Sequence, residues 1–121
     1  EQLRLRSFDL NVLLGNLLDN AIDASMQTDD RKLKITIKLD KGILLINICN
    51  SCRRIADGKR DFLETTKEDK VNHGIGLKNV RRIVEKYHGE ITFLYENDSV
   101  ETDVMMYVKE GCCKFMLKDA I

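Results

Sequence analysis

Four short polar side chains, Asn16, Asp19, Asn20 and Asp23, recur at intervals of three and four within an apolar run, so a helix through them places all four on one face. That face has two amides, two carboxylates and no Lys or Arg. A solvated helix surface more often carries Glu, Lys or Gln, because short polar residues are mediocre helix formers. The pattern suits a hard cation: an amide oxygen from Asn20 or Asn16 can coordinate Mg²⁺ beside a triphosphate without the repulsion a carboxylate adds. A plain solvated first helix is the competing reading. A second candidate is Gly74-Ile75-Gly76, placed just before a helical run, where backbone N–H groups and the positive end of a helix can meet a phosphate. It lacks the Lys-Ser/Thr of a P-loop and follows a loop, so neither a Walker A nor a Rossmann fingerprint is supported. An ordinary glycine loop is the alternative.

These residues need elements to hold them. Leu10, Leu14, Leu17, Leu18, Ala21 and Ile22 share an arc at helical spacing, which predicts a helix from Asp9 to Met26 with Ser7 or Asp9 as its cap. Leu33, Ile35, Ile37 and Leu39 alternate with Lys34, Thr36 and Lys38 as in a half-buried strand. The turn Asp40-Lys41-Gly42 leads to a more apolar, central strand, Ile43 to Cys49, ending at Asn50-Ser51. Residues 52–73 lose all periodicity and read as a lid or binding loop. A second helix starts at the glycine pair, carries Leu77, Val80, Ile83, Val84 and Tyr87 inward, and closes on Gly89 as a left-handed residue. Glu90 to Tyr95 and Val100 to Lys109 form two further strands, the latter with Val100, Thr102, Val104, Met106 and Val108 on one face. This order predicts an α+β two-layer sandwich, helices packed on one face of a mostly antiparallel sheet.

Composition narrows the partners. The chain has 121 residues, with 20 Lys and Arg against 20 Asp and Glu, so blanket attraction to nucleic acid or to an anionic membrane is excluded. Any anionic ligand must be caught locally. With 0 prolines, turns must come from Gly, Asn, Asp and Ser. No stretch reaches the roughly 18 apolar residues of a membrane span. The first residue is Glu1, and the expectation is a piece cut from a longer protein: one folded domain at 1–110, with its lid at about 52–73, and a tail at 111–121. Cys49, Cys52, Cys112 and Cys113 match neither a secreted disulfide framework nor paired zinc spacing, which favours a reducing compartment, with Cys49 in the core.

The stretch Asn16-Leu17-Leu18-Asp19-Asn20-Ala21-Ile22-Asp23-Ala24 resembles the N box of the GHKL ATP-binding superfamily, and His73-Gly74-Ile75-Gly76-Leu77 resembles its second glycine box. Together they are most similar to the catalytic domain of Agr-type sensor histidine kinases, membrane receptors for quorum-sensing peptides, over about Phe8 to Val108. The resemblance implies a Bergerat-type ATP-binding fold with ATP and Mg²⁺ as ligands. It implies that Asn20 holds the metal, that Asn16 and Asp23 line the same pocket, and that Gly74, Gly76 and Leu77 border the phosphates at the start of the second helix. Asn50-Ser51 stands where most of the superfamily has an Asp-x-Gly that reads the adenine amine; an Asn oxygen can also accept from that amine, and Asn-Ser is typical of the Agr-like branch. Asp57-Gly58 is a rival that fits the lid better, and Thr102 matches a threonine near the adenine site. Lys67 can neutralise phosphate or be a solvated loop lysine, while Arg81 and Arg82 suit an exposed helix face.

In hydrolysing branches a Glu one turn before the magnesium Asn activates water, and Asn16 cannot take that proton near neutral pH. The resemblance therefore implies a histidine kinase half-site that passes the γ-phosphoryl group of ATP to a His on a dimerisation domain. Neither His73 nor His88 suits that acceptor role, and no catalytic residue is assigned. Implied partners are the dimerisation and phosphoacceptor domain of the same kinase and a response regulator, at the cytoplasmic face of a membrane. Two other readings stand beside it: a nucleotide-binding regulatory module without phosphotransfer, and an anti-sigma-type serine kinase.

Overall fold

The computed structural model describes residues 3–53 and 67–109, with only the backbone described at Leu3 and over 67–75. Most of the expected lid, the rival Asp57-Gly58, and the tail with Cys112 and Cys113 lie outside these residues. The elements run β1 (Leu3–Arg4), α1 (Ser7–Met26), β2 (Leu33–Asp40), β3 (Ile43–Ser51), α2 (Lys67–Lys86), β4 (Glu90–Glu96) and β5 (Ser99–Lys109). Two helices cover one face of a sheet in which β2, β3, β5 and β4 pair antiparallel in that order. The two-layer α+β sandwich read from the sequence is the observed fold. One strand has no periodic signal: Leu3 and Arg4 pair parallel to Val108 and Lys109, extending the edge of β5 that β4 has left. No helix among the described residues is long and apolar enough to cross a membrane.

Alternation sets the core. Leu44, Ile46 and Ile48 of β3 and Val104, Met106 and Val108 of β5 point at the helices and are buried, as are Leu10, Leu13 and Leu17 of α1, Val80, Ile83 and Val84 of α2, and Tyr87 just after it. Each such aliphatic side chain contributes about 1.5–3 kcal/mol of burial. Ile22, expected inside, is 44% exposed, and Leu13 takes the most buried place on α1. The same parity corrects Cys49. Because Ile46 and Ile48 face inward, Cys49 emerges on the open face, where its thiol donates to Asn47 Oδ1 (3.3 Å) and lies 3.7 Å from Glu101 Oε2. Burial first, and then the Glu101 charge, pushes that thiol above its ordinary pKa, so it stays protonated.

Both helix ends depart from the positions expected from sequence. The N-cap position of α1 falls on Arg6, which makes no side-chain cap bond, so neither Ser7 nor Asp9 occupies it. At the end of α2 the left-handed residue is His88 (φ 56°), not Gly89. His88 N–H donates to Glu85 O (3.0 Å) and Gly89 N–H to Val84 O (2.8 Å), the paired bonds of a Schellman turn. Gly89 is required for another reason: a Cβ there would stand 2.0 Å from the Met105 carbonyl oxygen. Close passage of the chain over β5 demands the glycine.

Asp9 ties the start of α1 to the end of α2. Its Oδ2 accepts from Lys86 Nζ (2.8 Å) and from Tyr87 OH (2.6 Å), and Tyr87 OH accepts from the Arg6 N–H (3.1 Å). Burial alone would raise the Asp9 carboxyl, but the Lys86 and Tyr87 hydrogen bonds and the Lys86 and Arg6 charges outweigh it and hold the carboxyl below its ordinary range. Burial, together with the Asp9 bond, pushes the Tyr87 phenol up to about 12. The signs follow from linkage. The Asp9 contribution is complete above the unfolded value of 3.8 and is lost as pH falls through the lower folded value, whereas that of Tyr87 is lost between 10.0 and about 12. Urea unfolding across pH should therefore show a steeper acid loss in the wild type than in Asp9→Asn. Tyr87→Phe should cost about 1–3 kcal/mol at neutral pH and abolish the alkaline loss.

Candidate functional site

The N box and the glycine box meet on the facing sides of the two helices. Gly76 lies beside Asn16, and Lys86 and Tyr87 lie beside Asp9, so α1 and α2 run antiparallel. The contact at Gly76 is tight: an added Cβ would stand 2.8 Å from Asn16 Oδ1. Asn16 is held in that attitude by its own helix, since its Nδ2 donates to Val12 O at 2.9 Å. Gly76 thus serves the approach of one helix to the other.

This arrangement corrects the start of the second helix. It begins at Lys67, and the box His73 to Leu77 lies inside it, so Gly74 and Gly76 do not form the helix N-terminus. Lys67, Glu68 and Lys70 favour helix, no proline interrupts, and an interior glycine costs only about 1 kcal/mol relative to Ala. A glycine pair is as compatible with a helix interior in close contact as with a helix start. Residues 67–73, expected within the lid, are likewise helical, while the side chains of Lys67 and His73 lie outside the described residues. Leu77 is buried at 1% exposure.

One turn beyond Asn16, Asn20 is 5% exposed, and its Nδ2 is a buried donor with no hydrogen-bond partner among the described residues. An unpaired buried polar group costs about 1–3 kcal/mol. A ligand that accepts from it would remove this cost. Asn20 carries both an amide donor for a phosphate oxygen and an amide oxygen suited to Mg²⁺, so the donor set fits a metal-bound polyphosphate. Asp19 and Asp23 are exposed on the same flank.

The base-reading candidates lie on the sheet. Asn50 and Thr102 are both buried and face the helices; Asn50 pairs with Val100 and Ile48 with Thr102, so the two are diagonal neighbours on adjacent strands. Asn50 Nδ2 donates to the Ser51 carbonyl (2.9 Å), which leaves Oδ1, an acceptor, to read an exocyclic amine. Ser51 is turned elsewhere: its hydroxyl lies 2.8 Å from Thr28 Oγ1 and accepts from Lys32 N–H at 2.9 Å. Thr28 had no local signal in the sequence. Arg81 and Arg82 are exposed, and Arg82 bonds Asn79 on its own helix. His88 is exposed in the turn after α2, remote from Asn20.

A hollow of about 430 Å³ on the opposite face of the sheet is lined by Lys38, Asn47, Glu90, Glu101 and Asp103 among others. Asn47 Nδ2 donates to Glu101 (2.7 Å) and Asp103 (2.6 Å), so the carboxylates crowd the centre. Their charge repels a polyphosphate, and the orphaned Asn20 donor lies on the other side of the sheet.

Residues 5–107 match the GHKL domain family. The chain belongs to that family. This GHKL domain is 30% identical over 111 residues to the sensor histidine kinase DpiB of Escherichia coli (strain K12), an alignment covering 86% of this chain and 20% of that protein. The chain thus spans about a fifth of the length of this curated relative. Among solved structures, the catalytic domain of histidine kinase ThkA is similar at a TM-score of 0.62 and 23% identity, covering 83% of this chain and 67% of that one. The Acinetobacter baumannii histidine kinase AdeS is similar at 0.58 and 22%, covering 84% of this chain and 47% of that one. At these identities the likeness is one of fold.

The helix contact is open to a direct measurement. Gly76→Ala should destabilise the domain by about 1–3 kcal/mol in urea unfolding, the usual cost of overpacking. Combined with Asn16→Ala, which removes the atom it would strike, the loss should be largely recovered, and an additive double variant would refute the contact.

Proposed function

We propose that this GHKL domain is the ATP-binding catalytic domain of a sensor histidine kinase that passes the γ-phosphoryl group of ATP to a His on a dimerisation domain of the same kinase. The observation that carries the reading is the orphaned Asn20 donor, buried where the two boxes meet. The 30% identity to DpiB supports it. Bound Mg²⁺ would supply charge neutralisation across the phosphates. Asn20 would hold it through Oδ1, with Asn16 and Asp23 on the same flank, and Lys67 at the start of α2 would add a cation. Asn50 Oδ1 would accept from the adenine amine, with Thr102 beside it.

Asn16 has no basicity near neutral pH, so it would not activate water, and the nucleotide would be conserved for an external acceptor. Transfer would then rest on positioning and charge neutralisation. The downstream partner is a response regulator, and the setting is peptide quorum sensing at the cytoplasmic face of a membrane; Asn50-Ser51 in place of Asp-x-Gly supports that branch.

Calorimetric titration with Mg²⁺ and a non-hydrolysable ATP analogue tests the site. Wild type should bind, and Asn20→Ala should lose binding at least tenfold. Its melting temperature without nucleotide should not fall, because the substitution removes an unpaired buried donor. Equal affinity in the variant would sink the assignment. A separately expressed phosphoacceptor domain, supplied with γ-labelled ATP, should acquire label on its His; persistent absence of label despite binding would favour the regulatory module.

A further inference from the structure

Thr28 and Ser51 lie in elements that no motif links, yet their hydroxyls meet at 2.8 Å, and the neighbouring bonds fix the direction of the contact. Thr28 Oγ1 is 2.6 Å from the Ser25 carbonyl and 3.1 Å from the Arg31 amide N. A carbonyl only accepts and an amide N–H only donates, so the single Thr28 proton goes to Ser25 and Arg31 donates to the oxygen. The Ser51 hydroxyl must therefore donate to Thr28. Its other carbonyl neighbour, Lys32 O, is at 3.4 Å and is the poorer acceptor. Ser51 Oγ in turn accepts from Lys32 N–H at 2.9 Å. The result is an ordered relay, Ser51 to Thr28 to the Ser25 carbonyl, between the end of β3 and the end of α1.

Both ends of the relay adjoin the candidate site. Ser25 is buried in the last turns of α1, the helix that carries Asn20. Ser51 bears the carbonyl that accepts from Asn50 Nδ2, and its own N–H donates to Lys32 O at 2.9 Å. A shift of Ser51 would turn the Asn50 amide, and a shift of α1 relative to β3 would change the span from Asn20 to Asn50.

We propose that Thr28 and Ser51 are positioning residues that set this span and hold the Asn50 oxygen toward the nucleobase, so that they determine selectivity for a 6-amino purine without touching it. The proposal rests on the reading of Asn50 as the base contact. Thr28→Val keeps the shape and removes both hydrogen-bonding roles, while Thr28→Ser keeps them.

The test compares the affinity of the 121-residue chain for Mg²⁺-bound ATP and GTP analogues, below the melting temperature of every variant. Thr28→Val should lose ATP affinity about 5- to 10-fold, with GTP affinity little changed, as for the loss of one well-placed hydrogen bond. Thr28→Ser should keep wild-type selectivity. In an Asn50→Ala background, which should itself lose selectivity, Thr28→Val should add nothing. A Thr28→Val variant with wild-type selectivity, whether or not its melting temperature falls, would overturn the relay as a positioning device, as would an additive effect over Asn50→Ala. Wild type that does not discriminate the two nucleotides, or Asn50→Ala with unchanged selectivity, would overturn the base-contact reading itself.

Discussion

Two helices meet so closely at Asn16 and Gly76 that a single added carbon would stand 2.8 Å from an amide oxygen, and the site depends on that spacing. A close contact alone leaves a helix free to pivot. Here the pair is pinned again toward the start of α1, where Asp9 takes hydrogen bonds from Lys86 and Tyr87. One contact is steric and permissive, the other polar and directional. Between them the face of α1 bearing Asn16 and Asn20 has one orientation toward α2. Tyr87 is the link to the sheet as well, because its backbone carbonyl accepts from Tyr107 N–H at 3.0 Å.

That rigidity is the condition for keeping a polar group buried with no partner among the described residues. A mobile Asn20 would turn its amide to water or to a neighbouring carbonyl; a fixed one keeps its donor in place. The cost, about 1–3 kcal/mol, is a sizeable part of the 5–15 kcal/mol by which domains are stable. It is tolerable because the core is continuous from Leu13 through Ile46 and Val104 to Val80 and Tyr87. Stability surrendered at one amide can be recovered as ligand affinity, since the bound state does not pay the same penalty.

The legible parts of the sequence were those governed by period. Alternation gives β2 and β5 and the inward row Val100 to Val108, a continuous apolar run gives β3 without its parity, and the three-and-four spacing puts Asn16 and Asn20 on one face. Glycine was less legible because it answers several demands. Gly89 sits where backbone passes backbone and Gly76 where helix passes helix, whereas local pattern alone assigns both to a helix end. Cys49 was misplaced for a different reason: the continuously apolar run from Ile43 hides which residues are odd and which even, although the pairing of Ile48 with Ile35 fixes the parity at once. Leu3–Arg4 is too short to show any period, and the Thr28–Ser51 bond joins residues with no local pattern between them.

Charge was informative as a total and more so as a distribution. The 20 basic and 20 acidic residues cancel, but they are not evenly mixed on the sheet. Lys34 and Lys38 project from β2 on the open face, and Glu101 and Asp103 from β5 on the same face, with Asn47 between them donating to both carboxylates. The open face of the sheet is therefore where central carboxylates are gathered, and the full thickness of the sheet and its apolar core separates them from Asn20. Low-dielectric material between them does little to screen such charges, so distance and their own hydrogen bonds to Asn47 must do it. The face of α1 that bears Asn16 and Asn20 also carries Asp19 and Asp23, so a polyanion could approach it only with its own countercharge, as a metal ion.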